Sequence, residues 1–197
     1  MDNSRRGAGQ LAGSGRRLIQ RFMSETFGPT LETGRLVLRP MQADDVDDLL
    51  LIFSDPRVMA SFDEILFDRA QMKQWLQRNL DHQIRYGYGL FAVIHKIDQI
   101  LIGNCGLEWM EVDGTVAAEL GYDFRSDYWN QGLATEAAAA VRDYAFGVLR
   151  LPQLVSLIRV GNHASQHVAE KIGMQRRSEF TRYNHQYWKF VLEREEP

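Results

Sequence analysis

Cysteine is nearly absent from this chain of 197 residues, since Cys105 is the only one. A single thiol excludes an intrachain disulfide framework and a cysteine-cluster metal site, and it favours a reducing compartment, so we expect a cytoplasmic protein. Apolar runs are short, and none approaches the roughly 18 residues of a membrane span, so we expect no membrane partner. The apolar fraction of 45% and the charged fraction of 25% are typical of globular domains and exclude a fibrous or wholly disordered chain.

Outside the first 22 residues, acidic side chains outnumber basic ones. That segment carries five arginines and one acid, so within a net charge of -3 the remainder sums to -7. An acidic body argues against a nucleic-acid-binding domain, because attraction to phosphates needs a positive surface. The same acidity suits a cationic ligand, which the field of the body would attract.

The N-terminal residues differ in composition from the rest of the chain. Residues 1–24 predict a disordered Arg/Gly-rich extension, because they have too few apolar side chains to fold alone. An apolar signal-peptide core is absent from them. An organellar transit peptide and a nucleic-acid-binding arm are alternatives for this segment. Residues 25–197 predict one domain.

The hydrophobic periodicity predicts an α+β domain with the element order βααβββαβαββ. Alternating apolar residues predict strands at 35–40, 89–96, 100–109, 117–124, 155–160, 175–182 and 186–193. Helical spacing predicts helices at 44–53, 68–80, 133–148 and 164–173. The three consecutive β runs predict an antiparallel meander, because turn signals separate them.

Two loops before predicted helices could bind a ligand. Residues 128–136 (YWNQGLATE) lead into the Ala-rich helix, and the unpaired N–H groups at a helix start form an anion site. Gly132 lets a phosphate approach the backbone, although an ordinary strand-to-helix turn is the alternative. Residues 161–165 (GNHAS) precede the next helix, where Asn162 either caps the helix or holds a polar ligand.

These segments, in this order, resemble the GNAT superfamily of acyl-CoA-dependent N-acyltransferases. The resemblance is carried by ETGRLVLRP, Ser54-Asp55-Pro56, Ile102-Gly103, AELGY at 118–122, YWNQGLATEA and NHASQHVAEKIGM. The most similar branch is the ribosomal-protein N-terminal acetyltransferase group (RimJ/RimL-like). The resemblance implies a mixed, mainly antiparallel sheet of seven strands with helices on both faces, and acetyl-CoA as the acyl donor.

The resemblance also implies which residues bind coenzyme A. The family's phosphate loop, Arg/Gln-x-x-Gly-x-Gly/Ala, matches Gly132 and Ala134, while Trp129 replaces its first residue. Backbone amides of this loop would hold the pyrophosphate, and the preceding strand would hold the pantetheine arm. The implied CoA-binding residues are Leu120, Gly121, Tyr122, Phe124, Asn130, Gln131, Gly132, Leu133, Ala134, Thr135 and Asn162.

Two residues are candidates for catalysis. Acyl transfer requires a neutral amine, whereas α-amino and lysine groups are largely protonated at neutral pH, so a carboxylate base is expected. Glu119 is the candidate base, because the resemblance implies that it lies beside the thioester. The alternative is that Glu119 is a solvated strand residue or forms an ion pair with an arginine. The thiolate-protonating tyrosine of many family members has no counterpart at 167–170, so Ser165 is the substitute, with helix capping as its alternative.

His163 and His167 stand four residues apart, as two zinc ligands on one helix do, but a third ligand is lacking, so we expect no metal.

The first functional hypothesis is an acetyltransferase that moves an acetyl group from acetyl-CoA to a primary amine, within a ternary complex. The second is a non-catalytic acyl-CoA-binding or sensing module on the same fold. The third and weakest is an RNA- or ribosome-associated protein that uses the arginine-rich segment. The sequence leaves formation of a homodimer open.

Overall fold

The computed structural model describes residues 28–62, 65–112, 115–182 and 184–195. The N-terminal extension expected at residues 1–24 and the turn expected at Asp113-Gly114 lie outside the described residues. The described residues form a mixed α+β domain around one sheet. Its eight strands are β1 (Leu31–Glu32), β2 (Leu36–Pro40), β3 (Leu90–His95), β4 (Ile100–Val112), β5 (Thr115–Phe124), β6 (Gln153–Arg159), β7 (Gln175–Arg182) and β8 (His185–Glu193).

The strands lie in the order β1-β2-β3-β4-β5-β6-β8-β7. Every neighbouring pair is antiparallel except β5 and β6, which run parallel. The predicted meander of three strands is therefore confirmed as β3, β4 and β5. The expected mixed, mainly antiparallel sheet of about seven strands is confirmed, with the two-residue β1 as an additional edge strand that is too short to show an alternating pattern.

Five α-helices connect and cover the strands. They are α1 (Val46–Phe53), α2 (Pro56–Met59), α3 (Arg69–Tyr86), α4 (Leu133–Gly147) and α5 (His163–Lys171). Asp68 and Gln71 form a reciprocal capping box at the start of α3, and Gly87 ends this helix in the left-handed conformation. The helix extends six residues beyond the predicted end at residue 80. In this last part of the helix the buried position is occupied by Gln83, which keeps the helical spacing. Because Gln83 is polar, a search for apolar periodicity does not detect it.

The helices lie on both faces of the sheet and build two hydrophobic clusters. On one face, α4 and α5 pack against the sheet through buried residues such as Leu107, Leu120 and Val141. On the other face, α1 to α3 enclose a cluster that includes Leu49, Met72 and sheet residues from β3. Side chains of a strand alternate between the faces, so each strand contributes to both. None of the helices within the described residues is long and apolar enough to cross a membrane.

Candidate active site

The parallel strands β5 and β6 separate after only two paired positions. Ala118 pairs with Leu154 and Glu119 with Val155, and the backbone ladder between the two strands ends there. Beyond this point side chains connect the strands. The backbone N–H of Leu157 donates to Oε1 of Glu119 at 3.2 Å. Because the two strands part, backbone groups beyond Glu119 are available to an extended ligand between them.

Two further hydrogen bonds join β5 to the chain on the other side of the gap, one to β6 and one to α5. The hydroxyl of the buried Ser156 donates to the carbonyl of Leu120. The phenol of Tyr122 donates to the backbone carbonyl of Ser165 in α5 at 2.8 Å. Burial, with smaller contributions from the nearby Cys105 and Asp123, raises the pKa of Tyr122 above its usual value, so the phenol stays protonated. The sequence assigned Tyr122 only a backbone role, and its position on the α4–α5 face of β5 brings its hydroxyl to the start of α5.

The loop between β5 and α4 is shaped by two residues with positive φ. Asn130 has φ 60° and Gly132 has φ 77°, both in the left-handed region. Gly132 is the N-cap residue of α4, and the first helical hydrogen bond runs from the Glu136 N–H to its carbonyl. The N–H groups of the first helical turn have no partner within the helix, and they carry its positive dipole end. The predicted anion-binding geometry is thus present at this helix start.

Arg35 braces this loop from β2. Its Nη1 donates to the carbonyl of Gln131 at 2.8 Å, and its Nε donates to Glu136 at 2.7 Å. Glu136 also accepts from the Thr33 hydroxyl at 2.6 Å and the Arg35 backbone N–H at 2.8 Å. Burial raises the pKa of Glu136, but these hydrogen bonds outweigh it and the net pKa is lowered. Since a peptide carbonyl and the following N–H point in opposite directions, holding the Gln131 carbonyl turns the Gly132 N–H away from Arg35.

The residue that departs from the family pattern also fixes the loop. The indole Nε1 of Trp129 donates to the carbonyl of Phe124 at 2.8 Å, which ties the loop to the last residue of β5. The preceding Tyr128 donates its hydroxyl to Asp98 at 2.6 Å, and Asp98 also contacts Nδ1 of His95 at 2.7 Å. The loop is therefore anchored both to its own strand and to the β3–β4 turn.

The segment between α1 and α3 spans the open end of the gap. Asp55, the N-cap residue of α2, accepts a hydrogen bond from the hydroxyl of Ser126, which follows β5. Ser61 accepts from Nδ2 of Asn162, which follows β6, at 3.0 Å. The side-chain oxygen of Asn162 accepts from the Ser165 N–H at 3.1 Å, so Asn162, and not Ser165, caps α5. Asn162 thus connects α5 to the segment between α1 and α3, on the other face of the sheet.

Carboxylates gather on the face of the sheet that turns towards α1 to α3. Burial raises the pKa of Asp123 to about 6; the Asn104 hydrogen bond lowers it and the Glu108 charge raises it. Burial also raises the pKa of Glu108, which Arg78 partly offsets. Glu119 lies on the same face. Three carboxylates, Glu108, Glu119 and Asp123, therefore lie on one face of β4 and β5.

The structure brings most of the predicted site residues together. Residues 120–124 line the β5 side of the gap, residues 130–135 form the loop at its end, and Asn162 and Ser165 lie at the start of α5 on its β6 side. His163 and His167 both lie on α5. Among the described residues, no group of three or more His, Cys, Asp or Glu side chains is placed to hold a metal ion. The sequence did not indicate Arg35 or Ser61, and it indicated Tyr122 only through its backbone, since the side-chain contacts of these residues join segments far apart in the chain.

Two parallel strands that part beside a glycine-containing helix N-terminus define an acyl-CoA-dependent acyltransferase architecture. Residues 35–175 match the family model described as an acetyltransferase (GNAT) domain, and the chain belongs to this family. It is an acetyltransferase, and acetyl-CoA is the co-substrate that the family uses.

The chain is also similar in sequence or in structure to individual proteins. The protein YkkB of Bacillus subtilis (strain 168) is 35% identical over 155 residues, which cover 78% of this chain and 90% of YkkB. A solved acetyltransferase from Agrobacterium tumefaciens str. C58 is 28% identical, with a TM-score of 0.73, over 84% of this chain and 95% of that one. The ribosomal L7/L12 alpha-N-protein acetyltransferase RimL, solved in complex with coenzyme A, shares the fold at 17% identity and a TM-score of 0.70, over 84% and 98%.

Proposed function

We propose that this protein transfers an acetyl group from acetyl-CoA to a primary amine, by direct attack of the amine within a ternary complex. The observation that carries the proposal is that β5 and β6 stop pairing after Glu119 and that β5 then leads through a short loop, with Gly132 as N-cap, into the N-terminus of α4. A helix N-terminus binds a pyrophosphate, and a gap between parallel strands accepts an extended amide-containing arm. The thioester then falls beside Glu119, at the closed end of the gap.

The chain's own residues divide the binding of coenzyme A between them. The backbone of Asn130, Gln131, Gly132, Leu133, Ala134 and Thr135 holds the pyrophosphate, with the loop geometry supported by Arg35. The backbone of Leu120, Gly121, Tyr122 and Phe124 holds the pantetheine arm. Asn162 contributes from the β6 side, where its amide already connects Ser61 and Ser165.

Glu119 is the proposed base. It takes a proton from the attacking amine, directly or through water, so that the new C–N bond can form as the C–S bond breaks. A backbone N–H of β5 between residues 120 and 122 stabilises the oxyanion. The released thiolate takes a proton through the Ser165 hydroxyl, which takes a proton from water in the same step and so stays neutral. The phenol of Tyr122 donates to the Ser165 carbonyl and so positions this residue. A thiol has a pKa of about 8.5, so this last step needs little assistance.

The acceptor is a protein N-terminus or a small-molecule amine. The sequence motifs resemble those of the RimJ/RimL-like branch, and the single buried cysteine favours the reducing cytoplasm. The acidity of residues 23–197 favours a cationic acceptor, because opposite charge speeds encounter.

The test uses the full chain, acetyl-CoA and a panel of amines and peptides with free N-termini. We expect release of the free thiol that depends on one class of amine, together with a mass increase of that amine corresponding to one acetyl group. Binding of coenzyme A without transfer to any amine would overturn the proposal and support the non-catalytic acyl-CoA module. Unchanged partner binding after removal of residues 1–22 would eliminate a ribosome-binding role for that segment.

A further inference from the structure

One strip of the sheet has no side chains at its middle and carboxylates at both ends. On the face of β4 and β5 that turns towards α1 to α3, three cross-strand pairs follow one another, and we name them together the acidic trough: Asn104 with Asp123, Gly106 with Gly121, and Glu108 with Glu119. Alternation along the strands places all six residues on one face. The trough begins at the proposed base and runs away from it along β5.

The middle of the trough is open on its β5 side. A methyl group built on Gly121 would meet no atom within 4 Å. A methyl group on the opposite Gly106, by contrast, would come within 2.3 Å of the Gly89 carbonyl oxygen, because β3 packs closely there. The free space therefore lies over β5, in line with Glu119 and Asp123.

The far end of the trough contains a buried acceptor without a donor. Asn104 is 0% exposed, and its Nδ2 donates to Oδ2 of Asp123 at 3.2 Å. An ionised carboxylate only accepts hydrogen bonds, so this contact fixes which end of the Asn104 amide faces Asp123. The remaining oxygen, Oδ1, has no partner among the described residues. A buried unpaired acceptor is costly, and a ligand with N–H donors removes that cost.

The near end of the trough places Glu108 directly opposite Glu119. Like charges on facing strand positions repel each other. Arg78 is the positive group that acts on Glu108, while Glu119 accepts the N–H of Leu157. A positive nitrogen bound beside Glu108 and Glu119 would lower the repulsion between the two carboxylates.

We propose that the acidic trough is the acceptor subsite and that it selects amines with a second positive charge, bound between Asn104 and Asp123 while the reacting nitrogen lies at Glu119. This inference rests on the proposed function, because it names the substrate class of the same site. Residues 119 and 123 are four apart on an extended strand, so their Cα atoms are separated by about 13 Å. Long, flexible diamines therefore fit better than short ones.

The test compares unbranched α,ω-diaminoalkanes with n-alkylamines of the same length as acceptors for the full chain. We expect kcat/KM for the best diamine to exceed that of its monoamine by about tenfold to a hundredfold, the range of a charge-assisted hydrogen bond. In Asp123→Asn the ratio should fall to near one, because the amide keeps the Asn104 contact but loses the charge. Gly121→Ala should lower diamine binding without unfolding, since its methyl group has room in the free protein.

Asp143→Asn is the matched control, because Asp143 is exposed and pairs only with the adjacent Arg142 among its described ion pairs. It should leave the diamine ratio unchanged. A ratio near one in the wild type, or a ratio unaltered by Asp123→Asn, overturns the inference.

Calorimetry with a diaminoalkane in the presence of coenzyme A separates the proposed subsite from the proposed reaction. Binding that Asp123→Asn abolishes, without any acetylation, upholds the subsite and rejects the proposed reaction; absence of both binding and acetylation rejects the subsite as well.

Discussion

Glu119 accepts a hydrogen bond from the backbone N–H of Leu157 at 3.2 Å, two residues beyond Val155, its own partner in the last pair of β5 and β6. The carboxylate thereby occupies the point at which the parallel ladder ends and the gap begins. One residue has two functions in this arrangement: it satisfies a backbone donor that the parting strands leave behind, and it faces the proposed path of the amine. The two functions respond differently to substitution.

We expect Glu119→Gln to reduce kcat by about a hundredfold or more, because removal of a general base costs that much. The amide oxygen still accepts the Leu157 N–H, so the free energy of unfolding should change by less than about 1 kcal/mol. Kinetics with saturating acetyl-CoA and urea denaturation measure the two effects. Glu111→Gln, an exposed glutamate of β4, is the control and should retain full activity. Full activity of Glu119→Gln would reject Glu119 as the base.

Gly132→Ala should weaken binding of acetyl-CoA and lower the free energy of unfolding by about 1 kcal/mol, because a φ of 77° strains a residue with a Cβ. The KM for acetyl-CoA and a denaturation curve check both effects. Gly147→Ala is the matched control on the same helix: Gly147 is not among the residues of positive φ, and its added methyl group meets no atom within 4 Å. Equal behaviour of the two variants would contradict a strained phosphate loop.

Arg35→Gln should raise the KM for acetyl-CoA about three- to tenfold, because it removes the brace on the Gln131 carbonyl and releases Glu136 near the anion site. The kcat at saturation should change less than the KM. Arg69→Gln, which breaks only an exposed ion pair with Asp47, is the control and should alter neither constant. A fall in kcat with an unchanged KM would show that Arg35 does not act through the loop.

Asp123 should make stability fall with rising pH. Its pKa is about 6 in the folded protein against 3.8 as the ordinary value, because burial disfavours the charged form. The unfolded chain therefore loses its proton first, and the stabilising contribution, complete below pH 3.8, is lost as pH rises through 6. Urea denaturation across this window should show a decline for the wild type and a flatter profile for Asp123→Asn. Equal profiles would show that the carboxyl is not perturbed.

The sequence by itself determined the order of the longer helices and strands, the meander and the two helix-start loops. These features follow from local periodicity, from glycine and from capping residues, which act over a few positions. It also indicated Glu119, Gly132 and Asn162, because motif spacing carries them. It missed the two-residue β1, the four-residue α2 and the last six residues of α3. A pairing partner stabilises β1, the Asp55 cap stabilises α2, and the buried polar Gln83 lies in the last part of α3.

Only the tertiary structure decided which distant side chains meet at the site. Arg35 reaches the Gln131 carbonyl, Ser61 meets Asn162, and the Tyr122 phenol reaches α5, each across a separation that local patterns do not encode. The parting of β5 and β6 is equally a property of the whole sheet, since it depends on where two strands cease to pair. The register of β4 and β5 places Gly106 opposite Gly121 and Glu108 opposite Glu119. This pairing brings acids and glycines from two strands together in the acidic trough.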